Sequence, residues 1–237
     1  DSAEDLLKAL ADLVVPLELV SPPLPLHRLH EIEDVIRLLR EAGARGTSDS
    51  VGYAFAMQFN PEMPGLAARD VRSYLQAFMC LYEWLFIRAK VDLTRRITSY
   101  IDPFPTDYVR LVVQPGYAPD LDTLIDDYLA WNPTRNRALD FLPLFLHLDE
   151  ERVRAAVDDP LVKPRPALHY RLPNCDIHRP EWGFRVAWND WLQVESLAAS
   201  PRRLASCCDA YARFLARPLQ RWLGDWSHEV ASTWLRR

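Results

Sequence analysis

The stretch Ala167–Asn174, ALHYRLPN, decides the fold because apolar and polar side chains alternate along it. Its large apolar residues are Leu168, Tyr170 and Leu172. In an extended chain these side chains share one face, and His169 and Arg171 share the other. This alternation predicts a strand with one buried face and one polar face.

Two further stretches show the same alternation. In Gly52–Glu62, GYAFAMQFNPE, large apolar side chains oppose alanines, Gln58 and Asn60. In Pro16–Ser21, PLELVS, leucines oppose Glu18. The polar faces allow two interpretations: a sheet face in contact with water, or a face against a crowded ligand or a second layer. The small, uncharged alanines favour the second interpretation.

Helical periodicity is found in the segments between and after these strands. The amphipathic pattern of His27–Ala44 predicts a helix that covers the strands. The segment Leu66–Val91 is apolar on most sides, which predicts a central, buried helix. A proline-rich stretch after Ser99 predicts turns. Further helices are predicted at Leu121–Trp131, from Pro180 onward, from Ser200 to about Arg217, and from Pro218 to Trp234.

The composition limits the class of protein. With 237 residues, of which 49% are hydrophobic, the chain can bury one large core. We therefore expect a single domain over residues 1–237, with a C-terminal helical packing segment at 200–237. The net charge of −5 argues against nucleic acid or an anionic membrane as the main partner. No apolar run approaches the length of a membrane span.

The cysteines and the N-terminal residues predict a cytoplasmic protein. The 4 cysteines include no CxxC pair, which fits reduced thiols in a cytosol. The residues from Asp1 onward are acidic and amphipathic, unlike a signal sequence. Because the chain starts without Met and runs at once into a helix-like segment, we expect that a further part precedes Asp1.

The sequence excludes several kinds of active site. With 7 glycines against 19 prolines it contains neither a P-loop nor a Rossmann fingerprint. It also lacks GxSxG or a comparable nucleophile turn. The two histidines of HRLHEIED (residues 27–34) stand at a helix start beside an apolar stripe, which disfavours a zinc site there.

Three basic clusters lie beside strands or turns rather than on a helix face. They are Arg135 with Arg137, Lys163 with Arg165 and Arg171, and Arg95 with Arg96. Each guanidinium offers a planar fork of donors that suits a carboxylate or a phosphate. The alternative for the first cluster is a helix N-terminus with solvated arginines tied to Asp140. Together the three clusters predict convergence on one anionic ligand.

Side chains that can hold a metal stand near the ends of the predicted strands. They are Glu18, Gln58, Glu62 and His169. Magnesium held by carboxylates and a phosphate, with arginines neutralising the remaining charge, supports phosphoryl chemistry without a glycine-rich loop. The sequence therefore favours a magnesium and phosphate site over the hydrolase sites considered above.

The order of six short motifs resembles the amidoligase family. The motifs are ELVSPPL (18–24), QFNPE (58–62), RRITSYIDPFP (95–105), NPTRNRALDFLPLF (132–145), RPALHYRLPNC (165–175) and WNDWLQVESLA (188–198). The resemblance covers roughly residues 13–200, and the motifs are specific as an ordered set. That family is similar to glutamate-cysteine ligases and glutamine synthetases, which join a carboxylate to an amine with ATP and magnesium through an acyl phosphate.

The resemblance implies roles for individual residues. Glu18 matches the carboxylate of the family's ExxSPP strand, which implies a magnesium ligand. Gln58 and Asn60 match the Gln-x-Asn strand of plant-type glutamate-cysteine ligases. Arg171 matches the arginine of a late Glu-x-Arg strand, which contacts nucleotide phosphate. His169 stands where that strand has Glu, so an imidazole would replace a carboxylate as metal ligand. The family's first strand, with its Glu-x-Glu pair, is expected before residue 1.

The resemblance also implies the fold. We expect an α+β fold with a curved, mostly antiparallel sheet of the glutamine synthetase-like type and a helix-rich C-terminal part. Helices at 27–44 and 66–91 would back the sheet, and its concave face would hold the site.

The function predicted from the resemblance is an ATP- and Mg²⁺-dependent carboxylate-amine ligase acting on small-molecule or peptide substrates. The predicted metal ligands are Glu18, Glu62 and His169. The residues predicted to bind ATP phosphates or a substrate carboxylate are Arg135, Arg137, Arg165 and Arg171. Gln58 and Asn60 would orient the carboxylate, with Arg171 as a catalytic partner. The alternative is a non-catalytic binding or scaffold protein that retains the ligase fold.

Overall fold

Helices dominate the structure, a computed structural model that describes residues 18–46, 57–90, 101–217 and 225–236. The α-helices of these ranges are α1 (His30–Glu41), α2 (Ala68–Arg88), α3 (Thr106–Val113), α4 (Leu121–Trp131), α5 (Leu142–Leu148), α6 (Glu150–Ala156), α7 (Phe184–Ala198), α8 (Pro201–Leu215) and α9 (Trp226–Glu229). A 3-10 turn at Leu26–Arg28 precedes α1, and a π-helical turn at Val230–Trp234 follows α9.

A small antiparallel ladder runs between the helices. Strand β1 (Leu139–Asp140) pairs with β2 (His169–Tyr170), with Leu139 opposite Tyr170. On the other side of β2, isolated bridges join Phe59 to Tyr170 and Glu62 to Ala167, both antiparallel. The segment 59–62 therefore forms a third row beside β2. A parallel bridge between Asp102 and Arg137 adds a fourth segment next to β1.

The predicted α+β class and antiparallel pairing are confirmed, and helix predominates in the described residues. The described residues form two short strands with isolated bridges, and the curved sheet of the glutamine synthetase-like type stays a prediction. Residues 18–21, the described part of the first predicted strand, are irregular and exposed. Prolines at 22, 23 and 25 follow directly and prevent a ladder from continuing beyond this segment, because they cannot donate to it.

Several predicted features lie outside the described residues. They are residues 16–17 and 52–56 of the predicted strands, the basic pair Arg95 and Arg96, and residues 218–224 of the last predicted helix. The described end of that last helix, Trp226 to Trp234, is helical.

The predicted central helix is confirmed as α2. It is 21 residues long, and its buried side chains lie on several sides of the helix. They include Val71, Leu75, Phe78 and Leu81, all with no exposed surface. Helix α7 packs along α2 and buries Trp191 and Val194 against it. Among the described helices, none is both long and apolar enough to cross a lipid bilayer.

Three of the described helices, α3, α5 and α6, were not predicted from the sequence. Turns were predicted where α3 forms, because prolines at 103, 105 and 115 flank it on both sides. Those prolines bound the helix instead of interrupting it, and its buried residues Tyr108, Val109, Val112 and Val113 follow a helical spacing. Helices α5 and α6 are each 7 residues long, which is too short for a clear periodicity.

The ladder is held on the helices by its central aromatic residue. The Tyr170 ring lies 5.1 Å from the Trp191 ring of α7 and 6.0 Å from the Phe78 ring of α2. The Phe59 ring lies 6.1 Å from Tyr170 on the neighbouring row. Aromatic pairs at these distances add to the stabilisation that comes from the buried area. The apolar face of the ladder therefore belongs to the main core.

A second, smaller core attaches α1 to the rest of the chain. Ile36 of α1 is buried with Ile177 and Phe184. The Arg40 guanidinium donates hydrogen bonds to the Ile177 carbonyl oxygen at 2.7 Å and to the Trp182 carbonyl oxygen at 2.6 Å. These bonds satisfy carbonyls that stand before α7, so α1 and residues 177–182 are fixed to each other.

The role of the aromatic core can be tested at Phe78. Its ring has no exposed surface and contacts Tyr82, Phe104 and Tyr170. We expect Phe78→Ala to lower the free energy of unfolding by about 3–5 kcal/mol, because it removes this packing and leaves a cavity. The control is Ile87→Ala on the same helix, where the side chain is 61% exposed. Both variants are compared with wild type by urea titration, and the control should change the free energy of unfolding by less than about 0.5 kcal/mol. Equal losses of unfolding free energy in the two variants would contradict the described core.

Candidate active site

The register of the ladder gathers the polar side chains on one face. Because Phe59 faces Tyr170, Asn60 lies opposite His169 and Gln58 lies opposite Arg171. On the other side of β2, Asp140 faces His169. Directly opposite residues project to the same side of a sheet. The polar faces of the three rows therefore form one surface, and the apolar faces enter the core.

His169 stands at the centre of this surface between a surface amide and a buried carboxylate. Its Nε2 atom is 2.7 Å from Gln58 Oε1, within hydrogen-bond distance. Its Nδ1 atom is 3.7 Å from Asp140 Oδ2. The His169 side chain is 17% exposed and that of Asp140 is 2% exposed. The imidazole thus links the solvent side of the ladder to a carboxylate inside it.

Asp140 joins the site beside His169, although the sequence did not predict it there. Its Oδ1 atom accepts a hydrogen bond from the Leu142 backbone N–H at 2.9 Å. Burial raises the pKa of this carboxyl above its ordinary value, although His169, the Leu142 N–H and Arg171 each act to lower it. The signal in the sequence was an acidic residue between Leu139 and Phe141, in an otherwise apolar stretch. The alternative interpretation, in which solvated arginines of the first basic cluster pair with Asp140, is not what the structure shows, since Asp140 contacts His169 and Arg135 pairs with Asp159.

Arg171 lies beside His169 on the strand that carries both. Its backbone N–H donates to the Ala138 carbonyl oxygen at 2.9 Å, which continues the ladder beyond β2. Its Nη1 atom donates to the Arg135 carbonyl oxygen at 2.7 Å. The backbone at residue 135, rather than the Arg135 side chain, therefore orients the Arg171 guanidinium.

Arg165 carries an unsatisfied donor near the same surface. Its backbone N–H donates to the Pro143 carbonyl oxygen at 3.0 Å. Its side-chain Nε is buried, and none of the described residues accepts a hydrogen bond from it. Residue 165 precedes His169 by four positions and Arg171 by six, so in an extended chain all three share a face. A buried donor without a partner favours an acceptor such as an anion.

The other two predicted arginines are engaged elsewhere. The Arg135 side chain pairs with Asp159 at 3.2 Å. Arg137 donates to Asn132 Oδ1 at 2.9 Å, to the Pro103 carbonyl oxygen at 2.7 Å and to the Trp131 carbonyl oxygen at 3.3 Å. Its guanidinium thus joins the end of α4 to the turn before α3. The structure does not bring these two side chains to the polar surface.

The predicted oxygen ligands divide into two groups. Asn60 and Glu62 are exposed and share the polar face with Gln58. Glu62 lies opposite Ala167, one position diagonally from His169. Glu18 lies in the exposed irregular segment before α1, and no contact among the described residues joins it to the others.

A cavity of about 940 Å³ lies away from the polar surface. It is bounded by the first turns of α2, the turn at 114–118 and the region where α7 ends and α8 begins. None of the predicted site residues lines it. The polar surface of the ladder is thus distinct from this cavity within the described part of the chain.

The sequence model of a family described as "Putative amidoligase enzyme" matches residues 1–193 of the 237-residue chain. The chain belongs to this family. The predicted family is thereby confirmed, together with the class of enzyme, an amide-bond ligase. No curated protein and no solved structure shows significant similarity to this amidoligase chain.

The buried carboxyl of this amidoligase predicts a pH-dependent stability difference. A carboxyl whose pKa is raised by folding contributes less to stability as the pH rises above its ordinary value, because the folded chain then binds more protons than the unfolded chain. Asp140→Asn keeps an oxygen for the Leu142 N–H and removes the charge. We expect the variant to gain stability relative to wild type between about pH 4 and about pH 7, measured by urea unfolding.

The matched control is Asp158→Asn, at an exposed position. Its stability difference from wild type should stay constant over the same pH range. A constant difference for Asp140→Asn as well, or one that moves against the variant, would contradict the described environment of Asp140.

Proposed function

We propose that this chain forms an amide or peptide bond between a carboxylate and an amine, with ATP and Mg²⁺ and through an acyl phosphate. The family supports amide-bond ligation. The observation that carries the assignment of the site is the polar surface on which Gln58, His169 and Arg171 meet across adjacent rows of the ladder. The proposed substrates are small-molecule or peptide carboxylates and amines.

ATP, when bound, would supply the phosphoryl group that activates the carboxylate. The residues that fit its phosphates are Arg171 and Arg165. The buried Arg165 Nε needs an acceptor, and a phosphate oxygen is a strong one. The Arg171 fork adds a positive charge whose orientation a backbone carbonyl already fixes. Fixed charges of this kind stabilise charge on a transferred group without reorganisation.

Magnesium fits a part of the predicted ligand set. Mg²⁺ prefers oxygen donors and is usually held by one or two carboxylates, with phosphate and water completing the shell. Glu62 and Asn60 supply oxygens on the polar face, and Glu18 remains a predicted further ligand. Both His169 nitrogens already face side-chain oxygens. Among the described residues, no group of three or more acidic, His or Cys side chains could hold a metal ion. We therefore propose Glu62 as the ligand within the ladder.

We assign His169 and Asp140 to the positioning of Gln58. The His169 ring holds the Gln58 amide at 2.7 Å, and Asp140 faces the opposite edge of the ring. Gln58 and Asn60 would then orient the carboxylate that is activated. A fixed amide lowers the entropic cost of bringing the two substrates together. The proposed reaction requires no strong general base from the chain, because an acyl phosphate is already reactive toward a free amine.

The proposal extends to the fold and the location. We propose that the three antiparallel rows belong to the curved sheet of glutamine synthetase-like ligases. We also propose that the protein acts in the cytoplasm. All four cysteines are free, as is usual in a reducing compartment.

The experiment measures ADP release and amide formation with ATP, MgCl₂ and a panel of amino acids and short peptides. We expect ADP release that requires Mg²⁺, a carboxylate and an amine together, with the amide product identified by mass spectrometry. Arg171→Gln should lower kcat/KM by roughly 10²–10³, because it removes a preorganised charge. Arg110→Gln, which breaks an exposed ion pair with Asp107, should leave kcat/KM unchanged.

Two outcomes would contradict these proposals separately. If wild type releases no ADP with any member of the panel but still binds ATP or a substrate, the ligase proposal fails in favour of a binding or scaffold role. If wild type is active and Arg171→Gln is equally active, the function holds and the proposed site is wrong.

A further inference from the structure

Two buried thiols face each other between α2 and α8, away from the polar surface. Cys80 of α2 and Cys208 of α8 place their sulfur atoms 3.7 Å apart. Cys80 has no exposed surface, and Cys208 is 5% exposed. Cys207 also interacts with Cys80, whereas Cys175 packs with the second, smaller core. The proposed ligase reaction uses none of these groups.

We propose that Cys80 and Cys208 form an oxidation site, in which a hydroperoxide converts the two thiols into a disulfide that joins α2 to α8. A disulfide has an S–S distance of about 2.05 Å, so the sulfurs must approach by about 1.7 Å. Both side chains already lie in the contact between the two helices. On this proposal, a change of side-chain rotation within the existing helix contact closes the remaining distance.

The large cavity gives the oxidant access to one thiol. Cys208 lines the cavity of about 940 Å³, together with Leu204 and Asp209 from the same helix. Cys80 lies behind it and does not line the cavity. The Trp226 Nε1–H donates to the Cys80 carbonyl oxygen at 2.8 Å and fixes the backbone there. The geometry thus makes Cys208 the thiol that the oxidant reaches first. Cys80 is then the thiol that attacks the oxidised Cys208 sulfur.

The reaction balances in two steps with hydrogen peroxide as oxidant. The Cys208 sulfur attacks one peroxide oxygen, the O–O bond breaks, and a sulfenic acid and one water form. The Cys80 thiol then attacks the Cys208 sulfur, the S–O bond breaks, and the disulfide and a second water form. The two thiols lose two electrons, which the peroxide accepts. Burial raises the pKa of the Cys80 thiol, which disfavours its thiolate and so disfavours Cys80 as the first thiol to be oxidised.

The experiment treats the whole folded chain with hydrogen peroxide, alkylates the remaining thiols and digests it with trypsin without reduction. Cys80 falls in the peptide Ser73–Arg88, and Cys207 and Cys208 fall in Leu204–Arg213. We expect these two peptides to appear linked in mass spectra, and the linkage to disappear after treatment with dithiothreitol. The peptide Leu172–Arg185, which contains Cys175, should appear unlinked.

Alanine variants identify the partner, since alanine leaves no unpaired hydroxyl in the core. Cys208→Ala should abolish the linkage, and Cys207→Ala and Cys175→Ala should retain it. The disulfide should also raise the thermal midpoint of the oxidised wild type, because a cross-link between distant residues constrains the unfolded chain. Oxidation of Cys208 to sulfinic acid without a linked peptide in wild type would overturn the proposal. A linkage that survives in Cys208→Ala would also overturn it. If a variant fails to fold, fragmentation of the linked wild-type peptides assigns the bridge to Cys207 or to Cys208, and a bridge to Cys207 would overturn the proposal.

Discussion

The position of the Tyr170 ring between α2 and α7 is the constraint on which the site depends. Side chains of a strand alternate between two faces, so burying Leu168, Tyr170 and Leu172 forces His169 and Arg171 to the opposite face. The neighbouring rows obey the same rule, because their registers are fixed to β2. A single packing event in the core thus determines which polar groups meet, although those groups come from distant parts of the chain.

Burying the Asp140 carboxylate beneath the polar surface costs free energy of folding, which packing in the core must offset. A carboxylate as buried as that of Asp140 is unfavourable unless other groups compensate it. Here an imidazole edge, one backbone N–H and the nearby Arg171 charge provide the compensation. The compensation is incomplete, since burial still dominates the pKa. Ionisable groups whose pKa is shifted by burial and by a charged partner are characteristic of functional sites. Asp140 is such a group, and it contacts His169 from inside the fold.

Patterns within single segments of the sequence predicted much of the fold. They could not predict which residues from distant segments would contact each other. The alternation at 167–172 and the apolar circumference of α2 each follow from one segment, and both were correctly interpreted. The partner of Asp140 could not be found in this way, because it stands 29 positions away at His169 and depends on strand register. The same holds for Arg137, whose spacing from Arg135 suggested a joint anion site. Two of its three acceptors are backbone carbonyl oxygens, which no motif encodes.

The Arg137 guanidinium, which joins the end of α4 to the turn before α3, also affects the electrostatic potential around it. Its three acceptors are an amide oxygen and two carbonyl oxygens, all uncharged. No carboxylate among the described residues forms an ion pair with it, so no paired negative charge offsets the positive charge of its guanidinium. Such a charge attracts anions through space over a distance of about 8 Å at physiological salt. Arg137 therefore has two effects: its hydrogen bonds hold two segments together, and its charge contributes to the electrostatic potential at the protein surface.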